Sequence, residues 1–312
     1  MLLHEMLIII LYFVVGYFIF SKMMHYPPIA SFLLTYFIIV FCFCHYISNH
    51  ASLAPPVVST APYLTPHDPI PKIIYTYWNS DEKPRTVEKC INSWIKNNPT
   101  YKIVVHDFES AKCILPPKIL KYSKSNQMTA DFLRLELLSQ TGGIWLDASV
   151  YTPVPIDWVH SAQQTTNCEF VGYEMPKFKS AGIPIVENWM MAAVPDSMFI
   201  KKWKKKFFSI SNYESPEQYV NSIEKKTCIK NMDLKYYLTM HVACKHIMHK
   251  NNYQLCLFDA TTGPYLYQCS HFSLFTFPFV FMWFKGKESP LVKYTKSERF
   301  FLEHFDMYRF LN

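Results

Sequence analysis

The sequence predicts an α/β layered domain behind an apolar N-terminal segment, and three observations carry that prediction. Residues 72–151 alternate β-branched or aromatic stretches with amphipathic ones, in the order strand, helix, strand, helix, strand. That order marks a sheet covered by helices. The chain is 50% hydrophobic and 17% aromatic with 18% charged residues, which supports a packed core and excludes a disordered chain. Charge is also uneven. Residues 1–50 hold one Lys and one Glu (Lys22 and Glu5), so the +7 surplus falls entirely on the remainder.

The apolar segment contains an uncharged run of 15 residues, 6–20, and another of 19, 29–47. About 20 apolar residues cross a bilayer core as a helix, so residues 1–50 are expected to form a membrane anchor of one or two transmembrane helices. Either the two runs make a hairpin, or the first lies at the interface and the second is a lone signal-anchor. An integral membrane location follows from that expectation. Lys22 is the only basic residue near either run, so the sequence leaves open which side the domain faces. Residues 54–71 contain six prolines in 18 positions, and residues 51–69 are expected to form an extended stalk. The globular domain is then expected over 70–312.

Within it, residues 72–78 read as a strand bounded by proline. Residues 86–97 place Val87, Cys90, Ile91, Trp94 and Ile95 on one helical face, and Asn97, Asn98 and Pro99 end that helix. A second strand covers 101–106. Residues 129–140 are amphipathic and are stopped by Gly142 and Gly143, after which 144–151 read as one buried strand. Further on, 170–173 and 189–194 resemble short strands, 197–208 and 233–250 helices, and 297–311 a terminal helix. Seven scattered glycines leave no phosphate loop and no dinucleotide fingerprint, which excludes P-loop kinases and standard Rossmann dehydrogenases. The basic run from Lys201 to Lys206 reads as a solvated helix face or a contact with anionic lipid, and no nucleic-acid partner is expected.

Chemistry concentrates between residues 130 and 151. Asp147 is an acid within an apolar strand, which is costly unless it is paired, hydrogen-bonded or bound to a cation. Asp131 and Arg134 are three apart and share one face of the helix leading into that strand. The purely structural alternative is an Asp131–Arg134 ion pair with Asp147 capping a turn.

These residues carry a resemblance. Ile70 to Trp78, Ser93 and Trp94 with Asn98 and Pro99, Ala130 and Asp131 with Arg134, and Gly142 to Asp147 occur in the order and spacing of the family-32 type glycosyltransferases. These are proteins with a sugar-binding region containing a DXD motif, and the capsular polysaccharide synthesis branch is the nearest. The likeness covers residues 70–151 well and continues loosely through Glu187 to Ala193 and Thr262 to Pro264.

The resemblance implies a GT-A-like nucleotide-sugar-binding domain with a mixed central sheet, a nucleotide-sugar donor and a glycan or glycolipid acceptor. It also implies retention at the anomeric carbon and a divalent cation, Mn²⁺ or Mg²⁺. Carried over by residue, Trp78 stacks on the base, Asp131 and Arg134 bind donor hydroxyls, and Asp147 faces ribose, sugar and metal. Asn188 and Gly263 line the same cleft, and His271 is a candidate for the metal or the diphosphate. The sequence departs from the motif at Ser149, where the family has a second Asp. A neutral hydroxyl offers a hard cation much less than a carboxylate does. Weak metal binding, metal-free catalysis or no catalysis therefore all stay open, the last being a membrane-tethered glycan- or nucleotide-sugar-binding protein.

Overall fold

A computed structural model describes residues 57–59, 66–176, 182–224, 232, 235–265 and 289–311, together with positions 35, 36 and 38. In chain order the described elements begin with β1 (Val57–Ser59), β2 (Ile73–Tyr77), α1 (Arg85–Asn97), β3 (Lys102–His106), α2 (Phe108–Ile114) and α3 (Pro117–Tyr122). Next come α4 (Asn126–Thr141), β4 (Gly143–Leu146), β5 (Val150–Tyr151), α5 (Trp158–Thr166), β6 (Phe170–Glu174) and β7 (Val186–Ala193). The last are α6 (Met198–Phe208), α7 (Pro216–Glu224), α8 (Thr239–Lys250), β8 (Leu255–Asp259), β9 (Val292–Lys293) and α9 (Lys296–His304).

Seven strands form one mixed sheet in the order β1-β8-β6-β7-β4-β2-β3, while β5 and β9 pair in a separate two-stranded ribbon. β2 runs parallel to both β3 and β4, and β7 is antiparallel to β4 and β6. The mixed central sheet expected from the sequence is therefore present. Successive strand residues point to opposite faces, and the core divides accordingly. Tyr75 and Trp145 pack with Phe132 of α4 and with Phe199, Trp203 and Phe207 of α6 on one face. Ile74, Ile144 and Leu146 pack with Val87, Ile91 and Trp94 of α1 on the other. Trp94 also donates its indole N–H to the Val150 carbonyl at 2.7 Å, which fixes α1 against β5.

The handover from α4 to β4 depends on glycine. Gly142 has φ +67°, and a Cβ there would lie 2.7 Å from the Pro195 nitrogen and 2.8 Å from the Ala193 carbonyl oxygen. Only glycine takes that turn without strain or collision. It brings α4 back antiparallel to β4 within two residues, and so sets Asp131 and Arg134 beside the end of β4.

The structure corrects several expectations. No helix among the described residues is long and apolar enough to cross a membrane. The longest of them, α4, has 16 residues, or ~24 Å of rise against a hydrocarbon core of ~30 Å. The expected transmembrane anchor, the integral membrane location and the membrane as a partner are thus not upheld. The two runs that raised the expectation lie outside the described residues, apart from Thr35, Tyr36 and Ile38.

The expected stalk contributes Val57–Ser59 as an edge strand antiparallel to β8. The expected single strand over 144–151 is broken, because Asp147, Ala148 and Ser149 form a turn closed by Val150 N–H to Asp147 C=O at 2.9 Å. The expected terminal helix stops at His304, where Asp306 takes a left-handed conformation at φ 55°.

Candidate active site

β2 and β4 are adjacent and parallel, so both end at the same edge of the sheet, and Trp78 and Asp147 are the residues that follow them. Trp78 N–H donates to the His106 carbonyl at 2.8 Å, and Asp147 N–H to the Trp189 carbonyl at 2.8 Å. This edge is where α/β sheets leave room for ligands. A cavity of about 1120 Å³ opens there, lined by Trp78, Asp131, Arg134, Asp147, Ser149 and Asn188 among others. The structure thus gathers residues from β2, α4, the β4–β5 turn and β7 around one space.

Arg134 is the centre of the cluster, with only 5% of its side chain exposed. Its Nη2 lies 3.1 Å from Asp131 Oδ1 and 3.3 Å from Asp147 Oδ1. Its Nε donates to the Ala130 carbonyl at 3.1 Å, and its Nη1 donates to the Asn188 carbonyl. The guanidinium also sits 4.9 Å over the Trp145 ring, a favourable place for a planar cation. Both terminal nitrogens are therefore engaged with protein. Arg134 thus pairs with two carboxylates that line the cavity, which it lines itself.

Asp131 also accepts from Asn188 Nδ2 at 3.0 Å. Burial pushes its carboxyl up to about 6, with Arg134 opposing and Asp147 adding to the rise. Asp147 behaves differently. Burial pushes it up too, but Lys293 and Arg134 more than reverse that, and its pKa lies below the ordinary carboxylate range. Its Oδ1 accepts from Trp145 Nε1 at 3.0 Å, and its Oδ2 meets Lys293 Nζ at 2.7 Å.

Lys293 is the principal residue that sequence reading missed. It comes from β9, 146 residues beyond Asp147, and its ammonium also donates to Ser149 Oγ at 3.0 Å. A lone lysine in a two-residue strand carries no sequence signal. Glu187 and Tyr265 also line the cavity, hydrogen-bonded to each other at 3.0 Å. Burial pushes Glu187 up to about 7 despite the Tyr265 hydroxyl and Lys293. His241, buried at the start of α8, is pushed down to about 4 by burial and by Arg134. Gly263 is packed where a Cβ would meet Ser289 Oγ at 2.6 Å. The neighbouring Pro264 carbonyl accepts the Lys293 N–H at 2.9 Å. His271 lies outside the described residues.

The donor set does not suit the divalent cation that the resemblance implies. Among the described residues no group of three His, Cys, Asp or Glu side chains is placed to hold a metal ion. The two motif positions, Asp147 and Ser149, already share the Lys293 ammonium. A doubly charged ion at these two positions would have to displace that ammonium or be repelled by it.

With fold and site in view, comparison with known proteins gives the family. The profile of the capsular polysaccharide synthesis proteins matches residues 59–260, and this chain belongs to that family. This is the branch to which the sequence resemblance pointed. A sequence comparison with curated proteins finds no match.

Among solved structures, the chain is similar to the PaToxG glycosyltransferase at 13% identity and TM-score 0.37, covering 87% of this chain and 92% of that one. It is similar to a glycosyltransferase involved in glycosylation of the major capsid of PBCV-1 at 12% identity and TM-score 0.41, with 75% and 99% covered. The galactosyltransferase LgtC, solved with donor and acceptor sugar analogs, gives 8% identity and TM-score 0.38, with 71% and 86% covered.

Proposed function

We propose that this protein is a glycosyltransferase that moves a sugar from a nucleotide-diphosphate-sugar to a hydroxyl of a glycan or glycolipid in capsule-type polysaccharide synthesis. The observation that carries the reading is the pair Asp131–Asp147, held by one buried guanidinium at the carboxyl ends of parallel strands and facing a cavity of about 1120 Å³. Carboxylates so placed suit the hydroxyls of a sugar or ribose, each able to accept from two. The starts of α4 and α8 also border the cavity, through Asn126 and Thr239, and helix N-termini favour a phosphate group. Trp78 and His241 line the cavity, and Trp78 Nε1 and His241 Nδ1 are buried with no hydrogen-bond partner among the described residues.

In the proposed reaction the bond between the anomeric carbon and the β-phosphate oxygen breaks, and its electron pair leaves with the diphosphate. The acceptor hydroxyl oxygen forms the new bond to that carbon, and its proton passes to the departing diphosphate or to water. Retention of configuration follows the family resemblance, and no side chain is nominated as a covalent nucleophile. Trp78 stacks on the base, Asp131 and Asn188 bind sugar hydroxyls, and Asp147 orders the ribose and the leaving-group side. The protein's contribution is to place the donor and to stabilise charge on the leaving group.

The test is nucleotide release by the full chain across a panel of nucleotide sugars, with Asp147→Asn as control. Release from one donor that falls by about 100-fold or more in Asp147→Asn is the expected result. Donor binding without release in the presence of varied acceptors would replace the enzyme by a non-catalytic binding protein. No binding of any nucleotide sugar would end the reading altogether.

A further inference from the structure

Taking the glycosyltransferase reading as its base, we infer that Lys293 is a built-in cation that does the work of the divalent metal, binding and neutralising the donor's diphosphate at Asp147 and Ser149. Position comes first. The ammonium bridges the two motif positions, 2.7 Å from Asp147 Oδ2 and 3.0 Å from Ser149 Oγ, where an Asp-x-Asp pair would address a metal.

The backbone fixes it there. Lys293 is in register with Val150 across the β5–β9 ribbon, and the next residue, Tyr294, donates its N–H to the Ser149 carbonyl at 3.0 Å. The side chain is 12% exposed and lines the cavity, so its charge is both desolvated and accessible to a ligand. Six residues later Arg299 lines the same cavity, and one strand–helix segment thus brings two cations to it.

Charge balance gives the second reason. Two aspartates with a divalent ion carry no net charge, and neither do one aspartate, one serine and one ammonium. Replacing the second acid by Ser149 and supplying Lys293 therefore removes one negative and one positive charge together. When the bond from the anomeric carbon to the β-phosphate oxygen breaks, the diphosphate gains one unit of negative charge. Lys293 stabilises that charge electrostatically, with no proton or electron transferred to or from the lysine. The role differs from that of Arg134, which pairs with both aspartates.

Calorimetric titration of the full chain with UDP, GDP and ADP, in excess EDTA and in excess Mn²⁺, tests this, together with titration of Mn²⁺ alone. The wild type should bind one nucleotide with affinities in EDTA and Mn²⁺ that agree within about 2-fold, and should show no tight Mn²⁺ site of its own. Lys293→Met should weaken that nucleotide by about 10- to 100-fold, the loss expected for a charge-assisted hydrogen bond, while Lys293→Arg should keep more of the affinity. Ser149→Asp combined with Lys293→Ala rebuilds the two-acid pair, and should gain both Mn²⁺ binding and nucleotide affinity that EDTA abolishes.

A wild-type affinity that collapses in EDTA and returns with Mn²⁺ would overturn the inference while leaving a transferase. Lys293→Met binding as tightly as the wild type would overturn it as well. If Lys293→Met fails to fold by near-ultraviolet circular dichroism, the wild-type EDTA comparison and the double variant decide. A wild type that binds no nucleoside diphosphate and no nucleotide sugar sinks the transferase reading first, and this inference with it.

Discussion

Arg134→Met is the substitution whose consequence the structure fixes best. The guanidinium is 5% exposed and meets Asp131 Oδ1 at 3.1 Å, Asp147 Oδ1 at 3.3 Å and the Asn188 carbonyl. Methionine fills much of the volume but leaves the acids without their shared partner. Breaking a buried pair by removing one member costs about 3–5 kcal/mol, because the remaining charge stays uncompensated. Here the lower end applies, since Asp147 keeps Lys293 at 2.7 Å and both carboxylates are about a quarter exposed. The group left short is Asp131, whose remaining partner is the Asn188 amide at 3.0 Å.

Arg134→Met should therefore destabilise by about 3 kcal/mol, and adding Asp131→Asn should recover ~1–2 kcal/mol by removing the orphaned charge. Urea unfolding of the wild type, the single variants and the double variant at pH 8, above the raised Asp131 pKa, measures both numbers. A single variant within ~1 kcal/mol of wild type, or a double variant no better than Arg134→Met, would show that Arg134 does not hold the two acids as described.

Three further outcomes follow from other parts of the molecule. Glu187, raised to about 7 by burial, takes up a proton on folding; its contribution to stability is present near pH 4 and lost as pH rises through about 7. Glu187→Gln should thus gain stability relative to wild type at pH 8 more than at pH 5, and an equal difference in denaturant midpoint at both would refute the assignment. Gly142→Ala must adopt φ +67° with its Cβ 2.7 Å from the Pro195 nitrogen, and should cost at least ~2 kcal/mol in unfolding free energy; a smaller loss would show that the α4–β4 turn relaxes easily. Trp78→Ala should weaken nucleoside diphosphates by roughly 10- to 100-fold, the worth of one base–aromatic stack, and leave inorganic pyrophosphate binding unchanged. Equal losses for both in titration calorimetry would place Trp78 away from the base.

Sequence reading found the elements whose local signals were strong. α1 has its apolar stripe and the Asn98–Pro99 stop, and α4 has the Gly142–Gly143 stop. It missed α2 although Asp107 caps that helix, with Ser110 N–H donating to Asp107 Oδ1 at 2.8 Å; at seven residues the helix is too short to show a period. It also missed β8, five residues of which the first four are apolar, lying between β1 and β6 in the sheet.

The unbroken strand expected over 144–151 rested on composition, and composition could not show that Asp147 turns the chain out of the main sheet and into the β5–β9 ribbon. The basic run on α6 is partly neutralised by Asp196, at 2.6 Å from Lys201, and by Glu136, at 2.7 Å from Lys204. Asp196 is five residues from Lys201, whereas Glu136 is 68 residues from Lys204 and was not visible by position in the chain.

The site divides along the same line. Asp131, Arg134 and Asp147 lie within one helix–turn–strand unit, so their spacing alone brought them together. Lys293 arrives through tertiary pairing of a two-residue strand, and no local pattern could have named it. Its consequence is testable across the family, because the charge at this corner is shared between two positions far apart in sequence. A chain with Asp where this one has Ser149 would hold Lys293 against two carboxylates and lose the space for a metal. Such a chain should carry a neutral residue where this one has Lys293, and chains with Ser or Thr at position 149 should carry a lysine or arginine. Aligning family members at the two positions checks the rule. If Asp-x-Asp members commonly keep the lysine, the lysine is not standing in for an ion, and its pairing with Asp147 would serve the fold alone.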